Sequence, residues 1–329
     1  MEKVKWGILG TANIAEKALI PSIIKAENAE LYAIAGRKSE KVDIFEKLFN
    51  PVKSYYSYDE ILNDKDIDII YNPLPDGLHK EWTIKALNKG KNVLCEKPLG
   101  LNFEEDKEMF EAAEKNGKIL MEAFAYKYNP IIKGIKKIID EGKIGKIKSI
   151  NSSFSFNLKK RRPKDIRFVK KLGGGAIYDL GCYTTHVSRL LLDKEPVNAS
   201  GIMETTGKNG VDLTSTVILE FPDNIVSNFQ LSFDRESKVF LEVCGTDGAI
   251  FTEYPFNSSG KIFFELKKID KKYITEKTYF NVVDNYLFEV QELSKAVLKE
   301  NAELVTKEDS LNNAKALDLI FNSLRKKQI

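Results

Sequence analysis

Val4-Lys5-Trp6-Gly7-Ile8-Leu9-Gly10-Thr11-Ala12-Asn13-Ile14-Ala15 decides the fold. Its first six residues form a mostly apolar run of strand length, which Gly10 interrupts. An amphipathic stretch over 13–25 follows and reads as a helix. Gly10-x-Ala12-x-x-Ala15 fits the G-x-G-x-x-G/A turn that leads a strand into a helix around a pyrophosphate. The first position permits the tight turn, the second lets backbone approach the phosphates, and the third lets helix pack on strand. Alanine at the second position is a small departure. Set between strand and helix, the turn predicts a dinucleotide site over Gly10, Thr11, Ala12, Asn13 and Ile14. The bland alternative is a glycine turn that holds no ligand.

Outward from this turn, short apolar runs keep alternating with amphipathic stretches. Strands are predicted at 31–35, 67–71, 92–94 and 119–121, with helices at 39–49, 78–88 and 103–115. Gly90 and Gly117 fall where helix ends favour a left-handed residue. The alternation implies βαβ units, right-handed crossovers and a doubly wound parallel sheet, the Rossmann arrangement, over residues 1–122. Beyond it the period changes. A helix at 129–141 precedes alternating runs at 146–156, 213–221, 225–233 and 239–243, two of them joined by Pro222-Asp223-Asn224. Helices at 282–299 and 306–326 close the chain, the second capped by Thr306 and Asp309. Residues 123–329 are therefore expected to form an α+β domain with a large, open, mostly antiparallel sheet. Such a sheet suggests a homodimer or homotetramer through its exposed face.

Bulk properties exclude several classes. The chain has 329 residues, enough for two cores of ordinary size. Its 51 basic and 48 acidic residues leave a net charge of only +3, too little surplus for a nucleic-acid partner. No apolar stretch is long enough to span a bilayer, so no membrane is expected. Cys95, Cys182 and Cys244 are scattered without metal-ligand spacing, which suits a reducing compartment and predicts no metal. The first strand begins too early to leave room for a signal peptide, so a cytoplasmic protein is expected.

Cys95-Glu96-Lys97-Pro98 carries the chemistry. A lysine delivered just past a parallel strand lies at the carboxyl edge where open α/β sheets bind ligands. There Lys97 can move a proton while a nicotinamide moves a hydride. The cationic form of such a lysine is disfavoured beside a positive nicotinamide, so its pKa can fall toward neutrality. The end of the second strand, Ala35-Gly36-Arg37-Lys38, has no carboxylate to hold an adenosine ribose. Arg37 and Lys38 there favour the 2′-phosphate of NADP over NAD, with NAD still possible. The alternative is that Arg37 stacks on a ring or points to water.

Together with Gly10 and Lys97, three further segments give a specific resemblance over essentially the whole chain. Asn72-Pro73-Leu74-Pro75-Asp76-Gly77-Leu78-His79, Met121-Glu122-Ala123-Phe124-Ala125-Tyr126-Lys127-Tyr128-Asn129-Pro130 and Gly173-Gly174-Gly175-Ala176-Ile177-Tyr178-Asp179-Leu180-Gly181-Cys182-Tyr183 occur in the order found in the glucose–fructose oxidoreductase, inositol dehydrogenase and MocA family. The tyrosine that ends the last segment resembles the subgroup of dihydrodiol and D-xylose dehydrogenases. The resemblance implies an NAD(P)-dependent oxidoreductase acting on a sugar, polyol or cyclic diol. It makes Lys97 and Tyr183 the proton-handling pair, with Asp179 orienting them. It also places Pro73, Leu74, His79, Glu96 and Arg167 near cofactor, while Asn129 stands where the subgroup commonly carries histidine. Each residue has a plainer reading: Asp179 as a helix-start carboxylate, Tyr183 as core packing, His79 as packing at a helix start and the basic run 159–162 as a solvated loop. Two other functional classes stay open, a glycosidase that retains NAD for transient oxidation and a non-catalytic dinucleotide sensor.

Overall fold

A computed structural model describes residues 2–162, 164–207, 210–256, 258–268 and 274–325. The chain divides into two compact units, Met1–Ala125 with Tyr286–Leu311, and Tyr126–Asn285 with Asn312–Ile329.

The first unit contains β1 (Val4–Leu9), α1 (Ile20–Lys25), β2 (Ala29–Ala35), α2 (Ser39–Phe49), β3 (Lys53–Tyr55), α3 (Tyr58–Asn63), β4 (Ile69–Asn72), α4 (His79–Asn88), β5 (Asn92–Glu96), α5 (Phe103–Asn116) and β6 (Leu120–Ala123). The six strands are all parallel and run in the order β3-β2-β1-β4-β5-β6. That order reverses between β1 and β4, which is the topological switch point where doubly wound sheets bind ligands. Trp6, Ile8, Ile70 and Leu94 are fully buried because both faces of the sheet are covered by helices. Gly117 closes α5 with φ +60, as a left-handed helix end requires.

The second unit contains α6 (Pro130–Asp140), β7 (Ile147–Ser155), α7 (Leu158–Arg161), α8 (Cys182–Leu192) and β8 (Asn198–Thr205). It continues through β9 (Asp212–Phe221), β10 (Ile225–Ser232), β11 (Lys238–Gly245), β12 (Gly248–Thr252), β13 (Gly260–Lys268) and β14 (Ile274–Val282). The eight strands run β14-β13-β12-β11-β7-β10-β9-β8, antiparallel except where β10 pairs with β7. Ile150, Val217, Phe229, Leu231, Val243 and Phe264 point to one face and are buried there. The other face carries Asn151, Ile218, Asn228, Glu242 and Phe251 in one cross-strand row, none of them fully covered.

Two helices complete the chain, α9 (Asn285–Val297) and α10 (Lys307–Arg325). The expected division into two continuous stretches, 1–122 and 123–329, differs from this arrangement, because most of α9 returns to the first unit. Trp6 Nε1 donates to Ser294 Oγ at 3.1 Å, and Asn28 Nδ2 donates to the Gln291 carbonyl at 3.0 Å. A buried indole N–H needs a partner, and β1 finds one only on this late helix. Thr306 caps α10 as expected, accepting from Asp309 N–H at 3.1 Å.

Candidate active site

On the first unit, the phosphate-turn geometry follows from its small residues. Gly10 has φ +110, donates its N–H to the Ala35 carbonyl at 2.8 Å, and would place a Cβ 3.1 Å from Leu74 Cδ2. The helical run after it opens with a Glu16 N–H bond to the Ala12 carbonyl at 3.1 Å, so its first amides stand at the switch point. This cradle, which a Cβ would constrict, fits a dinucleotide pyrophosphate. Arg37 and Lys38 are exposed just past β2, and the Arg37 guanidinium lies 5.7 Å from the Tyr58 ring centroid. Pro73 and Leu74 are buried directly after β4. Glu96 ends β5 and Lys97 follows it, half-buried. Gly10, Thr11, Ala12, Asn13, Ile14, Arg37, Lys38, Pro73, Leu74, Glu96 and Lys97 thus all belong to the carboxyl edge of one sheet.

The segment around Lys97 is braced from three sides. Tyr71 Oη donates to Glu96 Oε1 at 2.6 Å, and Leu99 N–H donates to Glu122 Oε1 at 3.0 Å. His79 is fully buried, with Nδ1 2.9 Å from the Pro98 carbonyl and Nε2 2.7 Å from the Leu74 carbonyl. Both ring nitrogens face backbone carbonyls, and the neutral ring donates to one of them, so His79 braces the β4 and β5 loops. Burial holds its pKa below the ordinary histidine value despite the pull of the two carbonyls.

On the second unit, Ile177–Gly181 forms a π-helical turn that continues directly into α8. Asp179 and Tyr183 lie four residues apart along this run, as expected. Arg167 Nε donates to Asp179 Oδ2 at 2.6 Å, and its Nη1 donates to Asp165 at 3.2 Å. The geometry therefore ties Arg167 to the Asp179 carboxylate. Asp179 in turn raises the Arg167 pKa further. The Tyr183 ring, 7% exposed, packs among Phe256, Tyr126 and Phe154 at centroid distances of 5.3, 5.5 and 5.7 Å. Tyr126 shares a hydrogen bond with Nδ1 of His186. Asn129 is fully buried: its Oδ1 accepts from Ile131 N–H at 3.0 Å and its Nδ2 donates to the Ser258 carbonyl at 3.3 Å. It caps α6. Of the basic run 159–162, Lys160 and Arg162 are exposed, whereas the side chains of Lys159 and Arg161 lie outside the described residues.

Family models match both units. Residues 4–124 match the oxidoreductase family with an NAD-binding Rossmann fold, and residues 132–251 match the GFO/IDH/MocA C-terminal domain. The chain is 33% identical over 319 residues to a D-xylose 1-dehydrogenase (NADP(+)) of Haloferax volcanii, covering 97% of this chain and 96% of that one. The chain belongs to the GFO/IDH/MocA family of oxidoreductases.

Other members agree. A trans-1,2-dihydrobenzene-1,2-diol dehydrogenase of Xenopus laevis is 31% identical over 90% of this chain and 89% of its own. A crystallised 3-ketoreductase from Actinomadura kijaniata, in complex with NADP and TDP-benzene, superposes with a TM-score of 0.91 at 27% identity over 98% of each chain. The GFO/IDH/MocA assignment makes this chain an oxidoreductase enzyme with the expected two-part fold. Among the described residues no group of histidine, cysteine and carboxylate side chains could hold a metal ion, and no helix is long and apolar enough to cross a membrane.

Three residues with a structural claim on the site escaped the sequence reading. Glu122 steadies the loop after Lys97. Glu289 on α9 is fully buried, and neither carboxyl oxygen has a hydrogen-bond partner among the described residues. Asp212 at the start of β9 accepts from Ile177 N–H at 2.7 Å. None has a local signal: each is a single carboxylate in a run that reads as ordinary strand or helix.

Proposed function

We propose that the chain is an NADP-preferring dehydrogenase or reductase that works on a carbinol or carbonyl carbon of a sugar, polyol or cyclic diol. The observation that carries this reading is the presence on one chain of a built phosphate turn, Lys97 at the end of β5, and an Asp179–Tyr183 helical pair pinned by Arg167. The named activities of the D-xylose and dihydrodiol dehydrogenases support the substrate class. Exposed Arg37 and Lys38, and the NADP carried by the ketoreductase, support the cofactor.

Bound NADP supplies or accepts the hydride. The chain's own residues do the rest. The amides after Gly10 hold the pyrophosphate, and Arg37 and Lys38 pair with the 2′-phosphate. Tyr183 exchanges the proton of the substrate hydroxyl, Lys97 sets the proton affinity needed for that exchange, and Asp179 fixes orientation. We extend the proposal to a cytoplasmic homo-oligomer built on the eight-stranded sheet. Its three cysteines are free, and its open face presents Ile202, Ile218 and Tyr279 at 74%, 36% and 53% exposure.

The test is absorbance at the reduced-nicotinamide band with NADP or NAD and a panel of aldoses, polyols and cyclic diols. Turnover should fall by roughly 10²–10⁴ in Lys97→Met and in Tyr183→Phe, with NADP affinity retained. A double variant no slower than the worse single one places both residues in the same step. Cofactor that copurifies, with glycoside cleavage and no net absorbance change, would transfer the assignment to an NAD-dependent glycosidase. Cofactor binding with no turnover on any substrate would favour a sensor.

A further inference from the structure

We propose that Asp212 is a positioning residue for Asp179 and Tyr183, acting through the backbone amides at the head of the helical run that carries them. The inference rests on the proton-transfer reading of that pair. Asp212 belongs to β9 and is 5% exposed. Its Oδ2 accepts the Ile177 N–H at 2.7 Å, with the Ala176 N–H alongside. Amides at a helix start have no intrahelical acceptor, and a negative charge there also meets the positive end of the helix dipole. The carboxylate therefore fixes where the run 177–192 begins and how it is rotated about its axis.

Gly175 is shaped for this contact. It has φ +130, and a Cβ on it would collide with Asp212 Oδ1, so only glycine lets the carboxylate seat. Its own N–H donates to the Arg167 carbonyl at 3.0 Å, and Arg167 holds Asp179 at 2.6 Å. Asp179 is thus clamped from two directions, by the amides before it and by the guanidinium beside it. Tyr183 follows four residues later on the same run and inherits its placement from that clamp. A residue 33 positions away in sequence sets a geometry that the motif 173–183 does not contain within itself.

The surroundings of Asp212 make its charge adjustable. Burial raises its pKa to about 6, against the opposing pull of the amides. The Ser215 hydroxyl lies beside it on β9. Beside the helical segment, Arg167 pairs with both Asp165 and Asp179, and on it His186 bonds Tyr126. At neutral pH the carboxylate is charged, and the anionic cap weakens as pH falls through about 6.

Asp212→Ala, Asp212→Asn and Tyr183→Phe are compared with D-xylose and NADP as probes. The alanine variant should lose about 100-fold in kcat while the NADP dissociation constant, read by fluorescence, changes less than about twofold. Asparagine keeps one acceptor oxygen and should restore most of that loss. It should also lack the fall in kcat expected of the wild type as pH drops through about 6. Amide hydrogen exchange should quicken by about tenfold over 176–183 in the alanine variant and stay unchanged in β10. If alanine prevents folding, the asparagine pH profile and exchange map decide. An alanine variant within about threefold of wild-type kcat, or unchanged exchange over 176–183, overturns the proposal. Full activity in Tyr183→Phe would instead sink the functional reading, leaving the exchange result to judge the positioning alone.

Discussion

Arg37 shows how one side chain can separate two cofactors. It is exposed past β2, next to Lys38, and lies over the Tyr58 ring. A guanidinium pairs with a phosphate through charge-assisted bonds worth about 1.5–3 kcal/mol, while offering nothing comparable to a ribose hydroxyl. Arg37→Asp should therefore raise KM for NADP by about 10–100-fold and lower KM for NAD, as read from initial rates with each cofactor. At this scale the sequence was informative about which residues gather at the sheet edge and less so about what each one touches. Gly10 and Lys97 stand where strand ends put them. His79, Arg167 and Asn129 could not be placed from local pattern, because their partners are carbonyls and carboxylates brought near by folding.

The elements divide along the same line. Apart from β3 and α3, the strands and helices of the first unit were legible because parallel strands buried on both faces read as apolar runs, and glycine marks the helix ends. The short β3 was missed, since three half-buried residues carry no period. β8 was missed as an edge strand with Ile202 turned outward. β13 and β14 were missed because Lys261, Glu265, Lys268, Glu276 and Lys277 make them read as solvated, although Ile262, Phe264 and Leu266 alternate inward. Asn129 belongs at this scale. As the α6 cap and a tie to Ser258, it stabilises an element. Asn129→His should cost about 1–2 kcal/mol in urea unfolding and leave the ranking of substrates unchanged. A changed ranking at unchanged stability would contradict that.

The whole molecule carries a buried charge problem on α9. Glu289 is fully buried, and burial, then the Glu96 charge, pushes its carboxyl well above the ordinary value. A raised folded-state pKa contributes stability that is complete below the unfolded value of about 4.3 and drains away as pH rises toward the folded one. Glu289→Gln removes that dependence while keeping shape. The variant's melting temperature should match wild type near pH 4 and exceed it by a few degrees at pH 8, measured by calorimetry. Equal melting temperatures at both pH values would show that Glu289 meets water or a partner that satisfies its charge.

The return of α9 to the first unit also sets an order of events during synthesis. The indole of Trp6, made 288 residues ahead of Ser294, waits for that residue as its hydrogen-bond partner. At a translation rate of about 5–20 residues per second, the interval between Ala125 and α9 is roughly 10–30 s. Through that interval the nascent sheet lacks its last covering helix. A chaperone that binds exposed apolar segments has its longest opportunity there, on a dinucleotide fold that is complete in strands but still open on one side.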